Sequence, residues 1–179
     1  SRGLGDVYKR QIKEAGNPRN DLALIYSDHP CVSAGTFTTN RVKAAPVKVT
    51  QAHLRAMDLR AVVANSGNAN ACTGVPGITD ARAIAKTVAS SLGLRQREVG
   101  VCSTGVIGLP LPMERMHDGL GNLPAQLTRD GGREVAEAIM TSDTTVKEIS
   151  ITTTVGGRKI RIGACAKGAG MICPSMATM

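Results

Sequence analysis

Apolar positions along this chain follow two periods, and they divide it into short strands and longer helices. After Asp21 the run Leu-Ala-Leu-Ile-Tyr is continuously apolar, which predicts a buried strand ending at Tyr26. Ser27-Asp28-His29-Pro30 predicts a turn, and the β-branched and aromatic residues 34–39 (Ala-Gly-Thr-Phe-Thr-Thr) predict a second strand. Residues 40–46 form a basic connection into a helix that runs to about His53, and residues 59–64 (Leu-Arg-Ala-Val-Val-Ala) form another strand. Residues 65–74 (Asn-Ser-Gly-Asn-Ala-Asn-Ala-Cys-Thr-Gly) have no hydrophobic period. Asn and Gly tolerate positive φ, so a tight polar loop with its amides turned inward is expected there.

The clearest helix is 78–92, where Ile78, Ala81, Ala85, Val88 and Leu92 share one face, with Thr79 as its expected cap and Gly93 as its stop. Residues 99–102 predict a strand that breaks in a small-residue turn at 103–108. A short helix is expected over 112–120, opened by Pro112, and a further one over 133–140. Residues 149–155 alternate, Gly156-Gly157 supplies a two-residue turn, and 158–166 alternate back, which reads as a β-hairpin. No internal repeat interrupts the pattern, so one α+β domain accounts for it.

Composition narrows the function. The chain has 179 residues with no Trp, one Phe (Phe37) and two Tyr (Tyr8, Tyr26), so its core is aliphatic. The net charge is +8, but the basic residues are scattered and the aromatic platforms that stack bases are missing. A solvated surface, or a site that draws in acidic metabolites, explains the charge without nucleic acid. Residues 1–11 lack either period and resemble translated adapter sequence. Arg2, Lys9 and Arg10 against Asp6 give them +2, which leaves +6 for the domain expected over 12–179. Five Cys, an odd number without C-x-x-C spacing, argue against a disulfide framework and a zinc site, and fit a reducing, cytoplasmic setting. The three His (29, 53, 117) are far apart, so no metal is expected, and no run approaches a membrane span.

The candidate chemistry gathers near the end, where a Gly-rich stretch from Lys167 leads to Thr178 between Ala177 and Met179. A Thr hydroxyl beside a small residue can attack the carbonyl before it, giving an N→O acyl shift and an ester that water cleaves. The freed α-amine, with an unperturbed pKa of about 7.7–8.0, can then serve as base for its own hydroxyl. Such chemistry needs oxyanion donors, and the turn at Ser103-Thr104-Gly105 offers a hydroxyl and a backbone N–H. Lys167 suits a substrate carboxylate or a solvated surface, and the hydroxyl-rich 140–144 segment suits polar substrate groups or a helix end. Gly168-Ala169-Gly170 lacks the order of a phosphate loop.

Six strings in order carry a family resemblance: residues 21–25, 35–46 (Gly-Thr-Phe-Thr-Thr-Asn-Arg-Val-Lys-Ala-Ala-Pro), 65–74, 103–108 (Ser-Thr-Gly-Val-Ile-Gly), 139–144 (Ile-Met-Thr-Ser-Asp-Thr) and the tail from Lys167. Together they resemble the ornithine acetyltransferase family, also called glutamate N-acetyltransferase, of arginine biosynthesis. The resemblance implies an αββα-type sandwich in the style of N-terminal-nucleophile enzymes, here incomplete. It implies a precursor that cuts itself between Ala177 and Thr178, so that this chain is the α-chain portion and ends just past the cut. Thr178 becomes the acetyl-carrying nucleophile, Thr104 and Gly105 the oxyanion pair, and Thr141, Lys167 and Thr178 bind substrate. N-acetylornithine and glutamate are the implied substrates, with no cofactor, and acetyl-coenzyme A is left open as a further donor. The implied partner is the β chain of the same precursor, in a heterotetramer of two α and two β chains. A related aminopeptidase or amidase, or a non-catalytic metabolite-binding subunit, are the alternatives.

Overall fold

The computed structural model describes residues 21–170. The order of elements is β1 (Leu22–Tyr26), α1 (Ala45–Ala56), β2 (Ala61–Asn68), α2 (Gly74–Leu92), β3 (Val99–Val106), α3 (Met113–Asn122), α4 (Gly132–Ala138), β4 (Lys147–Val155) and β5 (Arg158–Ala166). They form a three-stranded sheet in the order β1-β2-β3 and a separate hairpin, β4-β5. The α+β class expected from the sequence is the one observed. β1 runs antiparallel to β2, and β2 runs parallel to β3, with α2 as the crossover that parallel neighbours require.

The two faces of the larger sheet differ. Leu22, Leu24, Ala61, Val63, Val99 and Val101 point to one side and pack against Ile84, Ala85 and Val88 of α2 and Met116 and Leu120 of α3. Ala23 of β1 faces the other side and meets Val135 and Ala138 of α4. Residues alternate across a strand, so Thr104 and its register partner Ser66 are out of phase with this large core, on the α4 side. The open edge of β3 is covered by α1. The Thr50 hydroxyl donates to Val101 O (2.7 Å) and accepts from Val101 N–H (2.8 Å), and buried His53 donates from Nδ1 to Val99 O (2.8 Å). An edge satisfied this way is closed to pairing with another chain.

Several expectations need correction. Residues 34–39 are not a strand. Phe37 instead packs against Ala44, Val47, Ala69 and Ala71, while Thr38 Oγ1 accepts from Asn40 N–H and Asn40 Oδ1 from Val42 N–H. Those local side-chain bonds satisfy backbone groups that a sheet ladder would otherwise need. Residues 65–68 are the end of β2, and the turn expected at 103–108 is strand as far as Val106. The two strands stay in parallel register through Ser66↔Thr104 and Gly67↔Gly105. Helix α2 begins at Gly74, a turn before the expected start, because Pro76 lies where helical N–H groups need no partner. Thr79 is therefore inside the helix, where its hydroxyl donates to Val75 O (3.3 Å), and is not the cap. Gly93 does end α2, in the left-handed conformation (φ 65°). The hairpin is as predicted, with positive φ at Gly156 (56°) and Gly157 (76°), the pattern of a type I′ turn.

Candidate active site

Polar side chains hold the ends of β2 and β3 together. Ser103 donates to Asn65 Oδ1 (2.5 Å), and Asn65 donates to Asn68 O (2.9 Å). Asn68 reaches Leu109 O (3.2 Å) and Pro110 O (2.9 Å), fixing the segment after β3. Asn70, fully buried at φ 45°, donates to Gly77 O (2.9 Å) and accepts from the Thr73 hydroxyl (2.6 Å). Asn is one of the few residues that accept that backbone conformation, and here its amide also ties the loop to the start of α2. The inward-turned amides expected of this stretch are present, partly on a strand.

Gly105 sits where this network and the sheet meet. Its φ is +135°, and a Cβ there would run into Gly67 C and O and into Asn68 N, the last at 2.6 Å. Only a glycine permits both the conformation and the close approach of the two strands. That arrangement fixes Thr104, one residue earlier in β3.

Three of the expected site residues converge. Lys167 Nζ donates to Thr104 Oγ1 (3.0 Å) and to Thr141 Oγ1 (2.7 Å). Thr104 lies in the last part of β3, Thr141 follows α4, and Lys167 follows β5, so three separate elements meet at one ammonium. All three side chains are half-buried. An ammonium only donates, so both hydroxyls accept from it and keep their own protons for a further acceptor. Burial pulls the Lys167 pKa down, and so does the nearby Lys147, while Asp143 acts the other way. Ala177 and Thr178 lie outside the described residues.

Sequence reasoning missed Asp143 and Lys147. Asp143 is buried, and its carboxylate accepts from Thr141 N–H (3.2 Å), Gly168 N–H (2.7 Å) and Lys147 Nζ (2.6 Å). Burial alone pushes its pKa up, but the Lys147 ammonium and the two backbone N–H groups outweigh that and hold it well below the usual carboxylate range. The available signal was an acid four residues before a lysine in a hydroxyl-rich segment; nothing in it indicated burial. Ser66, the neighbour of Thr104 across the sheet, is also buried, and its hydroxyl has no hydrogen-bond partner among the described residues. A cavity of about 850 Å³ lies elsewhere, lined by α1, α2 and the turn before β3, and includes none of Thr104, Thr141 or Lys167. Among the described residues no cluster of His, Cys, Asp or Glu could hold a metal ion, and no helix is long and apolar enough to cross a membrane.

A family model described as the ArgJ family matches residues 6–179. The chain belongs to the ArgJ family. Arginine biosynthesis bifunctional protein ArgJ of Symbiobacterium thermophilum is 52% identical over 168 residues, which cover 94% of this chain and 42% of that protein. The ArgJ of Geobacter sulfurreducens is also 52% identical over 168 residues, with the same coverage of 94% and 42%. The chain thus spans about two fifths of the length of these curated relatives. Among solved structures, ArgJ of Bacillus halodurans superposes with a TM-score of 0.89 at 38% identity, covering 97% of this chain and 90% of that one. Ornithine acetyltransferase of Mycobacterium tuberculosis, complexed with ornithine, superposes with a TM-score of 0.81 at 42% identity, covering 91% and 86%. The ArgJ fold is therefore the fold of this chain, and the family named from the six sequence strings is the one it belongs to.

Proposed function

We propose that this chain is the α-chain portion of a self-cleaving acetyltransferase that moves an acetyl group from N-acetylornithine to glutamate in arginine biosynthesis. The observation that carries the reading is the Lys167 bridge between Thr104 and Thr141, in a chain whose solved relative is an ornithine acetyltransferase holding ornithine.

The chemistry runs in two stages. In the precursor the Thr178 hydroxyl attacks the Ala177 carbonyl carbon, the amide C–N bond breaks and an ester forms. Water then cleaves that ester, leaving a carboxylate on Ala177 and a free amine on Thr178. In the mature enzyme this amine takes the hydroxyl proton as Thr178 Oγ attacks the acetyl carbonyl of N-acetylornithine. The Thr104 hydroxyl and the Gly105 N–H donate to the oxyanion of the tetrahedral intermediate. One such donor is worth roughly 2.7–4 kcal/mol in the transition state. The proton passes to the departing amine, ornithine leaves, and the glutamate amine attacks the acetyl-Thr ester to release N-acetylglutamate and restore Thr178. Lys167, donating to Thr104 Oγ1, makes that hydroxyl a stronger donor, and with Thr141 it lies where a substrate carboxylate can dock.

The working enzyme on this reading pairs the chain with a β chain from the same precursor, in a heterotetramer of two α and two β chains, in the cytoplasm. Residues 12–179 are taken as the enzyme portion and 1–11 as adapter-derived. The test is expression of the full-length gene, with mass spectrometry of the products and an assay of acetyl transfer from N-acetylornithine to glutamate. A fragment beginning at Thr178 and robust transfer are expected, both lost in Thr178→Ala. An intact active protein, or hydrolysis of small amides without transfer, would overturn the assignment. Acetyl-coenzyme A as donor in the same assay decides whether the enzyme is bifunctional.

A further inference from the structure

We infer that Asp143 is the positioning residue of this site, holding the Lys167 ammonium between Thr104 and Thr141 with Lys147 as its charge partner. Its contacts form a closed ring. Asp143 Oδ2 accepts from the backbone N–H of Thr141 (3.2 Å), and Oδ1 accepts from the backbone N–H of Gly168 (2.7 Å). The residue before Gly168 is Lys167, whose Nζ returns to Thr141 Oγ1 (2.7 Å). One carboxylate therefore pins the backbone on both sides of the Lys167–Thr141 contact.

Lys147 completes the arrangement. Its Nζ donates to Asp143 Oδ1 (2.6 Å) and also to Gly168 O (3.0 Å). Both backbone polar groups of Gly168 are thus held by the Asp143–Lys147 pair. Gly168, directly after Lys167, has φ +146°, a conformation that L side chains rarely adopt. A free lysine samples many rotamers, and directing its ammonium onto two hydroxyls requires a fixed backbone origin. Asp143 supplies that origin without reaching Thr104. Its low pKa keeps it an anion at neutral pH, which suits an anchor and not a proton carrier.

A purely structural ion pair predicts lower stability and, at Lys167, only the pKa change that follows a lost neighbouring charge, so the test reads the Lys167 rate with that change taken out by its pH dependence. In the full-length protein, the rate of reductive methylation of each lysine is followed by peptide mass spectrometry, in wild type and in Asp143→Asn. The asparagine keeps the shape and loses the charge. Lys167 labelling is expected to rise on the order of tenfold, the equivalent of one charge-assisted hydrogen bond, while exposed Lys159 stays unchanged. Lys147→Met, at a side chain 43% exposed, keeps the Asp143 contacts to Thr141 and Gly168 N–H. After correction for the upward pKa change that loss of the Lys147 charge brings, Lys167 labelling should rise by a smaller factor, about threefold.

A folded Asp143→Asn protein whose Lys167 rate stays within about twofold of wild type overturns the inference. If Asp143→Asn does not fold, Lys147→Met decides on the same criterion. A second arm, kcat for acetyl transfer, rests on the proposed function and should fall by a factor similar to the labelling change. A wild-type protein without transfer removes that reading, while the labelling result still decides the role of Asp143.

Discussion

Gly105 and Gly108 lie three residues apart, and both have positive φ, at +135° and +87°. Their surroundings differ, which gives a test with an internal control. A Cβ on Gly105 would strike Gly67 C and O and Asn68 N, whereas a Cβ on Gly108 would meet nothing within 4 Å. Gly108→Ala should therefore cost only conformational strain, about 1–2 kcal/mol. Gly105→Ala adds a clash with backbone, which cannot rotate away as a side chain can. Relief requires β2 and β3 to part at their ends, losing one or two ladder bonds at about 1 kcal/mol each on top of strain of about 1–3 kcal/mol. The total is about 2–5 kcal/mol, a large share of the roughly 5–15 kcal/mol that holds a domain folded. Urea unfolding of each variant gives the comparison. With a slope near 2 kcal/mol per molar, the midpoint should fall by about 1–2.5 M for Gly105→Ala and by about 0.5–1 M for Gly108→Ala. Equal shifts, or a Gly105→Ala midpoint at the wild-type value, would refute the steric reasoning. They would also remove the reason given for a glycine beside Thr104.

Asn70→Ala should cost about 2–4 kcal/mol in the same titration, since it leaves Gly77 O unpaired in a buried site and keeps a strained φ; Asn70→Gly, which relieves the strain, should recover part of that. Thr50→Val removes both hydrogen bonds to Val101 and should lower stability by about 1–3 kcal/mol, with faster amide exchange at Val101. Acid should weaken the fold through Asp143: its folded pKa is depressed, so its contribution is present above the unfolded value of about 3.9 and is lost as pH falls below it. In a stability-versus-pH series Asp143→Asn should flatten that acid limb; an unchanged limb would exclude Asp143 as its source. Gly156→Asn should stabilise the hairpin by about 0.4–1 kcal/mol, because Asn accepts the positive φ of a type I′ turn and restricts the unfolded chain, and a lower melting temperature would contradict the turn assignment.

Where apolar periodicity is strong, the fold was legible in the sequence. β1, α2, α4 and the hairpin lie within a few residues of where their patterns place them. Two of the errors share one physical cause. Residues 65–68 and 103–106 are strands whose inward side chains are polar and hydrogen-bonded to one another, so no hydrophobic period marks them. Residues 34–39 make the opposite case. Their β-branched and aromatic side chains look like a strand, but Phe37 finds its packing from a loop whose backbone is satisfied by Thr38 and Asn40. Thr104, Thr141 and Lys167 were chosen from hydroxyl content and family resemblance. Their convergence was not legible, because it spans 63 and 26 residues of chain. Asp143 was not legible either, since its importance lies in being buried against Thr141 and Gly168.

On the proposed reading, those long separations bear on how the precursor avoids cutting itself too early. Lys167 reaches Thr104 only when β3 is paired to its end, and reaches Thr141 only when α4 and the hairpin are in place. Each contact is non-local, so the loop-closure entropy must be met by the core before the ammonium has anything to bridge. Gly67 and Gly105 have to be in close approach, and Asp143 has to be desolvated with its three donors in place, before the bridge can stand. If Thr178 draws on this constellation, its attack on the Ala177 carbonyl gains oxyanion stabilisation only in the assembled fold. Cleavage should then track folding: in a refolding experiment on the full-length precursor, the fragment beginning at Thr178 should accumulate only after the β2–β3 amides are protected from exchange. Fragment formation ahead of that protection would mean that cleavage needs neither Thr104 nor Lys167.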